Sequence, residues 1–581
     1  MQLADVAEVL AAHGLLKPNL EILRPTEASY RALLLQPSGP IYAGPDRIGP
    51  LDRAGNEARS RAFLDLAAAR GAHLAVTPEY FLSWSALAEA LSHDVAPPLN
   101  GLWVLGCESV CQGEVEALTK ALAPRCRVLH EPFANLSADR ELLDPAALVF
   151  HALRADGTTQ LVCLLQFKTY PSRDDLFTEE ALLRRGTMVY QFRGNGGGLT
   201  VTAIICSDAF QTPPHVANLV DRGTLIHIQL NPAPRNLTYR QYRTDAFRIN
   251  PRMSDCHIVC LNWAKNIVQH APSGPPDEWK NVSGSAWYCP EDACSCEDGL
   301  VLPNHKQGLY YTYMREDRRH ALFLNYDEMA LELQVPKVVT AGLAVMANRN
   351  GPSATRRYEW STPSNTWNVV DNEADGGFEA LLTADADARA ALAAATAIHT
   401  PVEIERLLAL SAGAVAANHN WYAPRHIDSF SVRSDEVVNR VTFTQDKEGA
   451  KFRHERLNAA AQVRNLLDTD TSWPAQVRSL SAAATIKSAA ASHFNVEDSN
   501  GRPALVAYLG ESPPPREVEH KSASLVDLLR REGGPDCVRV CVAFRRYGAV
   551  TFASLPGLTR FDDPLQDQTD ILVADPDGGE S

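Results

Sequence analysis

Over residues 1 to about 340 the chain alternates short runs of β-branched and apolar residues with amphipathic helical segments, the pattern of a layered α/β domain. Strands are expected at Ala28–Leu35, His73–Thr77 (closed by Pro78), Leu102–Gly106, Ala147–Ala152 and Gln160–Lys168. Further strands are expected at Thr187–Arg193, Leu199–Cys206, Thr224–Leu230, Cys256–Asn262 and Ala321–Leu324. Asn56–Arg70 has helical period, with Ala58, Ala62, Phe63, Leu66 and Ala69 on one face and Gly71 placed as the glycine that ends it. The glycine-rich run at 194–198 joins two strands and no helix follows it, so it reads as a hairpin turn and not as a phosphate loop.

A length of 581 residues exceeds one ordinary core and predicts two or three domains. Residues 1–24 read as an N-terminal helix, from the amphipathic start MQLADVAEVLAAHGLL. Residues 346–377, rich in Asn, Pro, Ser, Thr and Gly around Trp360 and Trp367, read as a linker. Residues 378–581 read as a mostly helical α+β region with no motif that assigns it a role. Its helices are expected at 378–395, 401–416, 452–467 and 474–493, and its strands at Ala504–Leu509, Val538–Phe544 and Val550–Ala553, before an acidic end.

The net charge of −15 argues against a large nucleic-acid footprint, which needs a clustered basic face. No apolar stretch reaches membrane-spanning length, so no membrane partner is expected. The start carries no basic segment followed by a cleavage site, which points to a reducing cytoplasm and to free thiols among the twelve cysteines. Cys289, Cys294 and Cys296, with His305 nearest, lack the paired spacing of a zinc site and read as free thiols; no metal and no cofactor is expected. Cys537 and Cys541 are spaced to face one side of a strand.

Three apolar runs end on chemistry. LAVTPEYF puts Glu79 just past a strand and a proline, CLLQFKTYPS puts Lys168 at the end of a second, and TAIICSDAF puts Cys206 at the end of a third. Open α/β architectures place reactive groups at the carboxyl ends of strands, where loops leave room for a ligand.

In this order and context the three residues resemble the Glu-Lys-Cys signature of the nitrilase, or carbon–nitrogen hydrolase, superfamily. HIQLNPAP resembles the family's strand carrying substrate-lining residues, FRINPRMSDCHIVCLNWA its following helix and strand, and GSAWYCP its late glycine-serine turn. The resemblance covers roughly residues 25–335. It implies a four-layer α-β-β-α sandwich for a domain taken as 25–345, a homo-oligomer (dimer or larger), and a small-molecule amide or nitrile substrate. It implies Glu79, Lys168 and Cys206 as the catalytic residues.

The chemistry is coherent. A free thiol with a pKa of about 8.5 is only slightly ionised at neutral pH and needs a base. Glu79 can take the proton, if burial raises its pKa, and Lys168 can neutralise an oxyanion together with the backbone N–H after Cys206. The product is a thioester that water hydrolyses, or that an amine intercepts in acyl transfer.

Many members carry a second glutamate after the lysine; Glu179 is the candidate here, with Asp175 and Glu180 behind it. The alternative is a helix start, with Thr178 as cap and Glu179 and Glu180 facing the dipole. Tyr80, Ser207 and Asn231 are candidates for substrate binding, Trp84 and Phe210 for lining the pocket, and Asp208 for bonding backbone near the turn. The rival class is a sensor or assembly protein, in a defence or signalling setting, whose pocket binds a ligand while the C-terminal region controls oligomerisation.

Overall fold

The computed structural model describes residues 1–24, 29–123, 125–137, 141–172, 178–194, 199–211, 223–230, 256–264, 267–278, 285–290, 303–304, 306–314, 319–324, 327–336, 351–371, 390, 407–413, 451–469, 472–487, 493–532 and 535–555. They divide into two compact units, one ending by residue 371 and the other running from residue 390.

The first unit is mixed α/β. Among its described residues, nine strands form one sheet in the spatial order Thr366–Val370, Ser353–Ser361, Met329–Pro336, Ser29–Gln36, Leu74–Leu82, Leu102–Cys107, Pro145–Leu153, Thr159–Phe167 and Cys126–His130. Eight strands form a second sheet in the order Gln2–Asp5, Met188–Arg193, Thr200–Ile205, Gly223–Ile228, His257–Leu261, Ala286–Pro290, Arg319–Leu324 and Leu309–Met314. At the centre of each sheet three strands run parallel: those starting at Ser29, Leu74 and Leu102 in the first, and those starting at Thr200, Gly223 and His257 in the second.

Side-chain alternation assigns the faces of the nine-stranded sheet. Leu33, Leu35, Ala75, Trp103, Leu105, Val149, Cys163 and Leu165 share one core with Phe63, Leu64, Leu87 and Leu118, contributed by the helices Arg53–Ala69, Trp84–Ser92 and Gln112–Leu122. Phe150 and Gln166, on the opposite face, reach the eight-stranded sheet. Phe150 meets the edge of Phe192 at 5.1 Å between ring centroids, while Gln166 donates to the Ala203 carbonyl and accepts from the Tyr190 N–H. The two sheets therefore face one another, and buried backbone groups on one are satisfied by a side chain of the other.

Local signals explain several elements. Asp52 caps the helix Arg53–Ala69 by accepting from Gly55 N, and Gly71 leaves it at φ +57°, a conformation open to glycine at no steric cost. The strands Met188–Arg193 and Thr200–Ile205 pair antiparallel as the expected hairpin.

Other expectations need correction. The strand from Leu74 does not stop at Pro78 but continues to Leu82, with irregular pairing between Thr77 and Leu82. The start of the chain is not a plain helix: Gln2–Asp5 pairs with Met188–Gln191 before the short helix Val6–Ala11, because Asp5 caps that helix from an extended conformation. The supposed linker at 346–377 contains the hairpin Ser353–Ser361 and Thr366–Val370, which extends the nine-stranded sheet and packs Trp367 into its helical face.

The second unit combines the helices Lys451–Asp468 and Pro515–Glu532 with a five-stranded sheet among its described residues. Pro503–Glu511 and Val540–Arg546 pair in parallel around the helix Pro515–Glu532, whose Pro515 sits where its missing N–H costs nothing. The helix expected at 474–493 is absent from the described part of that segment. A single 3-10 turn at Ala475–Val477 and the short strand Thr485–Ile486 stand there, the strand pairing with Val496–Glu497. Cys541 lies buried in its strand, but Cys537 precedes that strand and is half-buried, so the two do not share a strand face. Residues 378–389 and 391–395, and the flanks of 407–413, lie outside the described residues.

Candidate active site

The first unit brings Glu79, Lys168 and Glu179 into direct contact. Lys168 directly follows the strand Thr159–Phe167 and is fully buried. Its Nζ lies 2.6 Å from Glu79 Oε1 and 2.8 and 2.7 Å from the two oxygens of Glu179. Glu179 belongs to the short helix Thr178–Leu182. Its carboxylate also accepts from the Tyr80 hydroxyl at 2.9 Å and from Ser172 N, so it serves the lysine and not its own helix dipole.

Glu79 projects from the nine-stranded sheet but is held by strand ends of the other. Its Oε2 accepts the Leu230 N–H at 2.6 Å, and its backbone carbonyl accepts Trp263 Nε1 at 2.8 Å. Gly106 lies beneath this bend: a Cβ there would stand 2.3 Å from the Pro78 carbonyl oxygen and 2.8 Å from Glu79 Cα. The glycine thus permits the close approach that lifts Pro78 and Glu79 out of regular pairing.

Cys206 follows the strand Thr200–Ile205 and opens a 3-10 turn, Cys206–Gln211. Its φ is +40°, and that of Tyr80 is +58°; left-handed backbone at such residues costs on the order of 1–3 kcal/mol and persists where surrounding contacts impose it. Those contacts are present. Asp208 accepts from Thr169 N, Thr169 Oγ1, Tyr170 N and Ile205 N, Ser207 donates to the Tyr170 carbonyl at 2.6 Å, and His227 Nε2 lies 2.8 Å from the Cys206 carbonyl. Cys206 Sγ lies 3.9 Å from the Leu230 carbonyl oxygen. Leu230 therefore bonds Glu79 through its N–H and meets the thiol through its C=O, which draws acid and sulfur to one place.

The electrostatics follow from burial. Desolvation would lower the Lys168 pKa, but Glu179 and Glu79, with Cys206 and Asp144, outweigh it and hold the ammonium well above its ordinary value. Burial raises Glu79; Lys168 opposes this, and Glu179 adds to it. Burial also raises Asp208, against the hydrogen bonds from Thr169 and the charge of Lys168.

Asp144 is the residue that sequence reasoning missed. It is buried, 3.7 Å from Lys168 Nζ, and one of its oxygens lies within 4.8 Å of an oxygen of Glu79 and of Glu179. An Asp-Pro at a strand start reads as turn chemistry, and only its pairing partner across the sheet, Lys168, would have singled it out. Three carboxyls at this spacing suit a cation, and the Lys168 ammonium is the cation that stands among them.

Among the substrate-binding candidates, Tyr80 and Ser207 are buried and hydrogen-bonded as described, while Asn231 lies outside the described residues, as does Asp175. Trp84 opens the helix Trp84–Ser92, and Phe210 stands half-buried against Tyr170. Cys289 packs 3.9 Å from His257 Nδ1, beside Trp287; Cys294, Cys296 and His305 lie outside the described residues.

No protein-family model matches the chain, and no curated protein does. Solved structures do match, remotely. The glutamine-dependent NAD+ synthetase from Acinetobacter baumannii is 13% identical at a TM-score of 0.29 over 55% of this chain, which spans about half (48%) of that protein. An amidase from Nesterenkonia sp. is 12% identical at 0.28, over 54% of this chain and 92% of the amidase. XC1258 from Xanthomonas campestris, a CN-hydrolase superfamily protein, is 15% identical at 0.24, over 42% of this chain and 78% of its own. Across the described residues, no helix is long and apolar enough to cross a membrane.

Proposed function

We propose that this chain belongs to the nitrilase, or carbon–nitrogen hydrolase, superfamily and cleaves a non-peptide C–N bond of a small amide or nitrile through a thioester on Cys206. The observation that carries the reading is the buried Glu79–Lys168–Glu179 contact, tied to Cys206 through Leu230. A lysine and two glutamates buried against one another are costly, and such groups concentrate where their charge is used.

In this reading Glu79 accepts the Cys206 thiol proton as sulfur attacks the carbonyl carbon. The carbonyl π electrons move to oxygen, where the Lys168 ammonium and the backbone N–H of Ser207 meet the new charge. Collapse of the intermediate expels the amine, which takes its proton from Glu79. Water, deprotonated by Glu79, then attacks the thioester; the C–S bond breaks, the acid is released, and the Cys206 thiolate takes its proton back from Glu79. Glu179 holds Lys168 by both oxygens and is assigned a positioning role. The facing sheets, with helices on the nine-stranded one, fit a four-layer sandwich whose fourth layer is part of the proposal.

The test is ammonia release from a panel of small linear amides and nitriles, with intact-mass detection of an acyl adduct. Turnover that disappears in Cys206→Ala and Glu79→Gln, with an adduct mapping to Cys206, is the expected result. No turnover from the panel, together with a Cys206 that reacts with iodoacetamide no faster than the other thiols, would overturn it in favour of a sensor or assembly protein.

A further inference from the structure

Asp144 enters no step of that mechanism, yet it stands within the cluster. Its backbone carbonyl accepts the Lys168 N–H at 3.0 Å, so the two residues are locked together across adjacent strands. Its side chain is 1% exposed. Neither carboxyl oxygen has a hydrogen-bond donor among the described residues. The nearest cation, Lys168 Nζ, is 3.7 Å from Oδ2, beyond hydrogen-bond reach, because it is committed to Glu79 and to both oxygens of Glu179. A buried carboxylate without a donor is strongly disfavoured in its charged form. One proton removes that charge and converts the orphaned acceptor into a donor, for which the neighbouring Glu79 carboxylate is the acceptor.

We infer that Asp144 is a positioning residue: a neutral carboxylic acid whose O–H donates to Glu79 and keeps Glu79 ionised as the base for Cys206. The inference rests on Glu79 being that base. The titratable or charged groups facing the pair are Lys168, Glu179, Tyr80, Cys206, Asp208 and Cys107. With Lys168 positive and Glu79 and Glu179 negative, a neutral Asp144 leaves one net charge among these buried side chains, where an ionised one leaves two. Burial first, then the charges of Glu79 and Glu179, raise Asp144 well above the usual carboxylate range against the pull of Lys168. The hydrogen bond from Asp144 in turn opposes the rise that burial imposes on Glu79.

Two measurements on the full chain decide it. Infrared spectra of protein carrying carbon-13 aspartate at pH 7 should show an isotope-shifted carboxylic C=O stretch that Asp144→Asn removes. Absence of that band overturns the assignment whatever the enzyme's activity. The rate of Cys206 alkylation by iodoacetamide is then followed against pH. Asn supplies an N–H donor to Glu79, so Asp144→Asn should keep the acid limb of the wild type. Asp144→Leu, near in shape but without a donor, should move that limb up by about one pH unit, a tenfold slower reaction on the acid side. Equal limbs in the Asn and Leu variants overturn the role, as does a shifted limb in Asn. If the Leu variant does not fold, the Asn limb and the infrared band decide. A wild-type Cys206 without enhanced reactivity brings down the hydrolase reading and the base role of Glu79 with it, whereas a reactive thiol with the wrong variant pattern brings down only Asp144.

Discussion

Lys168 Nζ and Glu79 Oε1 stand 2.6 Å apart with both side chains at most 1% exposed, one at the end of a strand and the other at a bend in a strand three places away in the same sheet. Withdrawing both charges from water costs several kcal/mol per ion, and the pair recovers it only with good geometry and further hydrogen bonds. Leu230 N, Tyr80 Oη and Ser172 N supply those bonds to Glu79 and Glu179.

Replacing the cation alone should therefore be damaging. Lys168→Met leaves Glu79 and Glu179 without a counter-charge and should cost about 3–5 kcal/mol of unfolding free energy at pH 7. Losing the ammonium raises the Glu79 pKa in the folded state, because Lys168 is what opposes its rise, so the deficit should shrink as pH falls. Urea denaturation at pH 5 and pH 8 checks both the size and the direction.

Asp144 sets a second pH dependence. Its folded-state pKa is raised above that of the unfolded chain. Its contribution to stability is thus fully present below the ordinary carboxyl range and is lost as pH rises through the folded value. Asp144→Asn does not titrate. Its urea midpoint, relative to wild type, should increase from pH 4 to pH 8; a constant difference would contradict the raised pKa.

Asp208 holds the turn that carries the sulfur. Asp208→Ala strips an acceptor from the backbone N–H groups of Thr169, Tyr170 and Ile205, each worth about 1–3 kcal/mol when left buried and unpaired. A loss of at least 3 kcal/mol is expected at the low end of that range, read by chemical denaturation. Alkylation of Cys206 in the folded fraction should slow as well, because φ +40° at Cys206 is imposed by these contacts.

Gly106→Ala tests the bend at Glu79. The added methyl has no space beside the Pro78 carbonyl, and overpacking of this kind costs about 1–3 kcal/mol. The displaced backbone carries Glu79, so the rate of Cys206 alkylation should fall in protein that remains folded by circular dichroism. An unchanged rate would mean that the bend does not set the position of the base.

Much of the strand framework was legible locally. Runs such as LLLQ, LAVT, LVCLLQF and VTAII are short, apolar and bounded, and they become strands within a few residues of their expected ends. The misses have physical causes. Pro78 reads as a stop, but Gly106 on the neighbouring strand makes room for the chain to continue. The alanines of 474–493 favour a helix, yet Thr485–Ile486 gains a pairing partner in Val496–Glu497. The hairpin within 346–377 is polar because it lies at a sheet edge, and that polarity resembles the composition of a linker.

What the sequence determined by itself was which chemistry-bearing residues follow apolar runs: Glu79, Lys168 and Cys206 each come directly after a run whose pattern is local, although the strand of Glu79 continues past it. What only the tertiary structure decided was who stands next to whom. Glu179 lay between two local readings until Lys168, Tyr80 and Ser172 claimed its carboxylate, and Asp144 carried no local signal because its meaning is a matter of distance to Lys168 and Glu79. Hydrophobic pattern is written along the chain, whereas the charge felt by a buried carboxyl depends on neighbours that folding brings from other strands.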